Sequence, residues 1–335
     1  MVNCSNEYPN TDVFYSEISG DYLSLVLLGL GSVLMLVSVG LFVEELIYLQ
    51  QVYFQDEVKV RKVATILGVF PVTVITAFLA VVVPTSTFLV DLVQTCYLSV
   101  CFYTFVTLAI DYFGGDQGLL DHLGATKVRT ALPPCCCCLC CILRPRILTR
   151  KSLLVFKLMS LQVAVLRPVL LFIAAVLWTD GKYKPGLDSA SSTYIYITAV
   201  TSISLIFSMY GSGVIYRAVA PCLTNYRITA KFVSIKLLLI VSNIQTLVFS
   251  ILAANDQPPC LGSRGPIARG SALNHFCLLI EASVLCLLAR RGYRMDEREL
   301  PPPDKLPGDA DNDEDAVNSD KAWFDNIAAI PDSAI

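Results

Sequence analysis

Between positions 135 and 141 the chain carries six cysteines, Cys135, Cys136, Cys137, Cys138, Cys140 and Cys141. Basic residues follow at Arg144, Arg146, Arg150 and Lys151, and an apolar stretch opens at Leu153. Thiols packed this tightly make poor tetrahedral metal ligands, because structural zinc sites separate paired cysteines by about two to four residues so that the chain can wrap the ion. Juxtamembrane cysteines beside basic residues suit S-acylation instead, and each buried methylene of an attached chain adds about 0.8 kcal/mol of membrane affinity. The run is read as a loop anchored to membrane lipids, with unmodified cytosolic thiols as the alternative.

A second set of residues could do chemistry because of where it falls. Arg167, Glu281, Gln162, His275, Asn243, Gln245 and Asp91 all lie within apolar stretches. A charge at the membrane centre costs at least ~2.5–3.5 kcal/mol and persists mainly where it has a partner or a wet cavity. Arg167 and Glu281 are the deepest, both near mid-membrane, which would let them face one another as an ion pair. The seven together are candidates to line one substrate passage. Glu44, Glu45, Asp111, Lys157 and Lys236 stand close enough to stretch ends to snorkel to the interface. Pro71 and Pro168 are expected to interrupt their helices, and Pro168 puts a kink beside the charge of Arg167.

These residues need helices to hold them, and composition supplies the class. Hydrophobic residues make up 55% of the chain and charged residues 16%, which excludes an ordinary soluble domain. Seven stretches reach the ~20 apolar residues that cross a bilayer: Tyr22 to Leu49, Val63 to Val83, Thr87 to Ile110, Leu153 to Trp178, Thr193 to Tyr216, Phe232 to Ala254 and Ser271 to Ala289. The expected fold is an all-α integral membrane protein with seven transmembrane helices. Residues 1–21 form an N-terminal segment, 22–292 the membrane domain with the Cys-rich loop at 111–152, and 293–335 an acidic disordered tail. With the N-terminus outside and the C-terminus cytosolic, eighteen of the 25 Lys and Arg residues fall on the cytosolic side and four on the other. That is the bias of the positive-inside rule.

This topology places Cys4 and Cys260 in the oxidising compartment, where they are candidates for a disulfide. Asn3-Cys4-Ser5 is a glycosylation sequon on the same side. Ser333-Ala334-Ile335 at the carboxyl end would fit the groove of a PDZ protein by strand addition.

Several segments together resemble the organic solute transporter alpha family. They are Glu44-Glu45 within LFVEELIYL, Phe113-Gly114-Gly115, the run PCCCCLCC, LTRKSL from Leu148 to Leu153, Gln162 and Arg167 in LQVAVLR, Ala230-Lys231-Phe232, and His275 and Glu281 in NHFCLLIEA. The resemblance covers most of the membrane body, and the cysteine run is its most specific element. The transmembrane-184 group shares the fold without that run. The resemblance implies facilitated, bidirectional diffusion of bile acids and steroid conjugates across the plasma membrane, basolateral in polarised epithelium. It also implies a small single-pass beta subunit as partner, and an acylated cysteine loop.

An amphipathic organic anion of this kind would need a cation for its head, for which Arg167 is the candidate. It would need apolar walls for its body, which Phe102, Tyr103, Phe105, Tyr194, Tyr196 and Phe207 are placed to supply. No cofactor, metal or nucleic-acid partner is expected, and no phosphate-binding G-x-x-x-x-G-K-[ST] motif couples transport to hydrolysis. The alternative is a seven-helix receptor, but Asp111 is followed by Tyr112 and Phe113 rather than by an Arg-Tyr pair, and the seventh stretch contains no proline. His122 and His275 are the only histidines and stand far apart in sequence, so no catalytic constellation is expected and the chain is read as a non-enzyme.

Overall fold

The computed structural model describes residues 8, 11–18, 22–52, 56–124, 127–128, 146–181, 193–261, 264–294 and 303. The cysteine run, Asn3, Cys4 and the C-terminal Ser333-Ala334-Ile335 lie outside the described residues. Helices dominate: α1 (Thr11–Ile18), α2 (Tyr22–Val52), α3 (Glu57–Leu67), α4 (Val69–Val82), α5 (Thr87–Asp111), α6 (Asp116–Leu123), α7 (Arg150–Thr179), α8 (Thr193–Val219), α9 (Ile228–Ala254) and α10 (Pro266–Tyr293). Seven helical spans are long and apolar enough to cross a membrane, the second of them made of α3 and α4 together. They coincide with the seven stretches read from hydropathy, and the fold is an all-α, seven-span membrane protein.

Local chemistry sets the helix starts. Thr149 caps α7 through a reciprocal box with Ser152, placing the basic pair Arg150–Lys151 at the helix entrance. The Asp56 side chain accepts from the Lys59 backbone N–H at 3.1 Å and starts α3. The break in the second span falls at Gly68 and not at Pro71. Pro71 sits in the first turn of α4, where a missing N–H costs little. Gly68 is needed for another reason: a Cβ there would collide with the Tyr97 hydroxyl. That hydroxyl donates to the Thr65 carbonyl at 3.0 Å and the Cys101 thiol donates to the same oxygen at 3.1 Å, so α5 satisfies the carbonyl that the break exposes. Pro168, in contrast, lies inside an unbroken α7.

In the bundle, α7 packs on α8 and α5, whereas α10 packs on α9, α4 and α2. The buried core gathers at one end, around Phe105, Leu108, Phe113, Ile215, Leu223, Ile228, Phe232 and Tyr293. Toward the α1 end α8 and α9 turn largely exposed. Large apolar side chains such as Leu36, Phe172, Ile206 and Leu247 cover the outside, as lipid requires of a spanning bundle. At the packed end a short antiparallel ribbon pairs β1 (Lys127–Val128) with β2 (Arg146–Ile147), joining the two flanks of the segment that holds the cysteine run.

Candidate functional site

The loosened α1 end encloses a cavity of about 200 Å³ between α5, α7, α8, α9 and α10. Phe88, Leu171, Tyr194 and Phe249 supply its apolar walls, and Thr87, Thr95, Thr246, Ser250, Ser271, Asn274, Asp91 and His275 its polar groups. Tyr8 reaches the same space from the N-terminal segment and has the Ser271 side chain as hydrogen-bond partner; burial pushes its phenol above the ordinary value.

The central polar contact joins two spans. His275 Nε2 donates to Asp91 Oδ1 at 2.9 Å, and Nδ1 donates to the Ser271 carbonyl at 2.8 Å. The backbone carbonyl can only accept, so Nδ1 carries an N–H, and a single proton on the Nε2–Oδ1 contact leaves the pair neutral overall. His275 is almost fully buried while Asp91 is half exposed, so the aspartate is the member of the pair that the cavity meets.

Arg167 lies one helical turn from Leu171 on α7, hence about 6 Å deeper along the axis than the cavity floor. Its Nη2 donates to Asn243 Oδ1 at 3.4 Å, and Asn243 Nδ2 in turn donates to the Leu239 carbonyl at 2.6 Å. Cys96 of α5 is its electrostatic neighbour, and among the described residues no carboxylate pairs with it. The expected Arg167–Glu281 ion pair is therefore not formed. The reason is packing: Arg167 faces the α7–α9 side, whereas Glu281 belongs to α10, which packs on α9, α4 and α2. Glu281 keeps one carboxylate oxygen, Oε2, buried with no hydrogen-bond partner.

A family model described as Organic solute transporter Ostalpha matches residues 27–298. The chain belongs to the organic solute transporter alpha family. A Danio rerio protein named organic solute transporter subunit alpha is 31% identical over 294 residues, covering 87% of each chain. Its namesake from Leucoraja erinaceus is 31% identical over 254 residues, 74% of this chain and 72% of that one. The Homo sapiens protein of the same name is 29% identical over 281 residues, 83% and 81% of the two chains. No solved structure matches.

In this member of the family the seven polar candidates divide by location. Asp91 and His275 form the cavity pair, and Arg167 with Asn243 lies one turn below. Gln162 donates to the Ser204 carbonyl of α8 at 3.4 Å, and Gln245 donates to the Asn274 carbonyl of α10 at 2.8 Å, so both tie helices together. Of the six aromatics expected as walls, Tyr194 alone lines the cavity. Phe102 and Phe105 are in the packed core, and Tyr196 and Phe207 face outward. Phe88 and Phe249 take their place, and both stand three residues from a cavity-lining polar residue, Asp91 and Thr246.

The family's acidic pair Glu44-Glu45 proves to be part of a charge cluster. Arg290 bonds Glu44 at 2.6 Å and Glu45 at 3.5 Å, and Arg294 bonds Glu44 at 3.2 Å. Lys62 pairs with Asp111, and Lys157 with Asp116 at 2.8 Å. The least expected residue is Lys231. It is 0% exposed, donates to the Tyr112 hydroxyl at 3.2 Å and lies 5.0 Å from the centre of the Tyr293 ring. Its signal in the sequence is the Ala230-Lys231-Phe232 segment. Cys260 is disulfide-bonded, while Cys101, Cys222 and Cys286 are buried and outside any disulfide.

Proposed function

We propose that this transporter subunit moves amphipathic organic anions, of the bile-acid and steroid-conjugate kind, by facilitated and bidirectional diffusion across the plasma membrane. A small single-pass beta subunit completes the carrier. The observation that carries this reading is Arg167, a cation within a span whose near neighbours are an amide and a thiol. A cation kept in the bilayer without an acidic partner calls for a visiting anion, since its desolvation otherwise goes uncompensated. The cavity above it supplies an approach with apolar walls and few ionic obstacles. At about 200 Å³ it is smaller than the ~300–1,000 Å³ typical of sites that bury a drug-sized ligand, so it admits one end of a sterol-sized body while the rest spreads toward Arg167.

The test is uptake of a labelled steroid sulfate in cells expressing this chain with its beta partner. Arg167→Ala should lower uptake at least about tenfold at unchanged surface abundance, a loss of ~1.4 kcal/mol of anion binding. Arg167→Lys, which keeps the charge but loses the planar fork, should retain part of it. Full uptake by Arg167→Ala would end the proposal.

The same reading carries an outside N-terminus and a cytosolic C-terminus, acylation of the run Cys135 to Cys141, a Cys4–Cys260 bridge and a glycan at Asn3. It also includes a cytosolic PDZ protein at Ile335 and basolateral sorting. Epitope access on intact cells tests the orientation, and acyl-exchange mass tagging of the wild type against a six-serine variant tests the acylation.

A further inference from the structure

We infer that Asp91 reads a hydroxyl group at the end of the substrate opposite its anionic head, so that the carrier discriminates among organic anions by what they carry at the far end. This rests on the role proposed for Arg167.

Three observations lead to it. Asp91 spends Oδ1 on His275, lines the cavity and is half exposed, and its second oxygen has no hydrogen-bond partner among the described residues. The pair with His275 is neutral as a unit, because Nδ1 meets a carbonyl and so carries a proton, and one further proton lies on the Nε2–Oδ1 contact. The second oxygen is thus a strong acceptor without surplus negative charge. A neutral donor such as an alcohol suits it better than an ammonium, and an approaching organic anion is not turned away. Finally, the polar groups around it are themselves short-range hydroxyl and amide partners, Thr87, Ser271 and Asn274, set among Phe88 and Phe249. That is the lining an apolar body with a hydroxyl would need.

The spacing agrees. Cys96 is the α5 neighbour of Arg167, and Asp91 precedes it by five residues, which is roughly 7–8 Å along the helix axis. An anion held at Arg167 therefore presents its distal end to Asp91 when a rigid apolar body separates the two. A flexible or short anion would satisfy Arg167 and never reach the aspartate.

A site built around a hydrogen bond to a substrate hydroxyl rejects the analogue that lacks the donor. The experiment compares two labelled steroid monosulfates, identical except that one bears a hydroxyl and the other a hydrogen at the end distal to the sulfate. Uptake is measured with the full chain and its beta partner, normalised to surface abundance. The wild type should favour the hydroxylated compound about tenfold. Asp91→Leu should bring the ratio to about one, chiefly by lowering uptake of the hydroxylated compound. Arg167→Ala should lower both and leave the ratio standing. If Asp91→Leu fails to reach the surface, Asp91→Asn keeps the shape and an oxygen for His275, and its ratio must fall at least about threefold. Equal wild-type uptake of the two compounds, or an unchanged ratio in the Asp91 variants, overturns the inference while leaving Arg167 intact. Uptake of neither compound overturns both.

Discussion

The packed end of the bundle and the surroundings of Arg167 handle charge differently. At the packed end Glu44 and Glu45 are met by Arg290 and Arg294, Asp111 by Lys62, Asp116 by Lys157, and even the buried Lys231 is enclosed by tyrosines. Toward the α1 end Glu17 meets Arg264 and Asp91 meets His275, but one turn below the cavity Arg167 donates to Asn243 and has no carboxylate partner among the described residues. Matched charges fix helices against one another and are finished once the protein is folded. The unmatched one is available for a ligand, and on the proposed reading assembly rests on the packed end and transport on Arg167.

The largest effect that would sharpen this contrast is expected at Arg290. Arg290→Met strips the buried Glu45 of its cation, and an orphaned buried charge costs roughly 3–5 kcal/mol. Thermal unfolding in detergent should show a sharp drop, and Glu45→Gln combined with Arg290→Met should recover most of it. Lys231→Ala comes next. It removes a fully buried chain together with its bond to Tyr112, an expected loss of about 2–4 kcal/mol, whereas Lys231→Met should lose less because it fills the same space. A Lys231→Ala protein as stable as the wild type would contradict the account of the packed end.

At the other end the expected effects on folding are small. Tyr8→Phe deletes one partly buried hydrogen bond with Ser271 and should loosen the docking of the N-terminal segment by about 1 kcal/mol, read as faster hydrogen exchange in α1. Arg167→Met should change stability by no more than ~0.5 kcal/mol while reducing anion uptake. A large stability loss there would erase the comparison, since it would make Arg167 one more assembly charge.

The spans were legible in the sequence because hydropathy is a property of each residue summed over a window, and it needs no knowledge of neighbours. Their ends were less so: the second span begins at Glu57, six residues before the apolar stretch, because Lys59, Arg61 and Lys62 are good helix formers in a segment too polar for a hydropathy window. Depth was legible by counting, which is why Arg167 and Glu281 were both placed near mid-membrane. Pairing was not, because it depends on which helices touch and which way each is rotated, and α7 and α10 pack on different partners. Lys231 escaped for a related reason. The connection between α8 and α9 is a tight 3-10 turn over Ala220–Tyr226, with Arg227 in the left-handed region at φ 49°, and it folds the start of α9 back into the core.

The thiol that closes the Gly68 break also makes a clock. Cys101 is 0% exposed and its sulfur is spent on the Thr65 carbonyl, so a thiol-reactive dye can reach it only when α3 and α4 part from α5. The rate at which dye arrives, once labelling no longer depends on dye concentration, is the opening rate of that joint, and below that limit it gives the equilibrium between closed and open forms. A membrane carrier seldom offers a native reporter for one specific junction; here it needs no engineered residue, only that its faster-reacting thiols be blocked first.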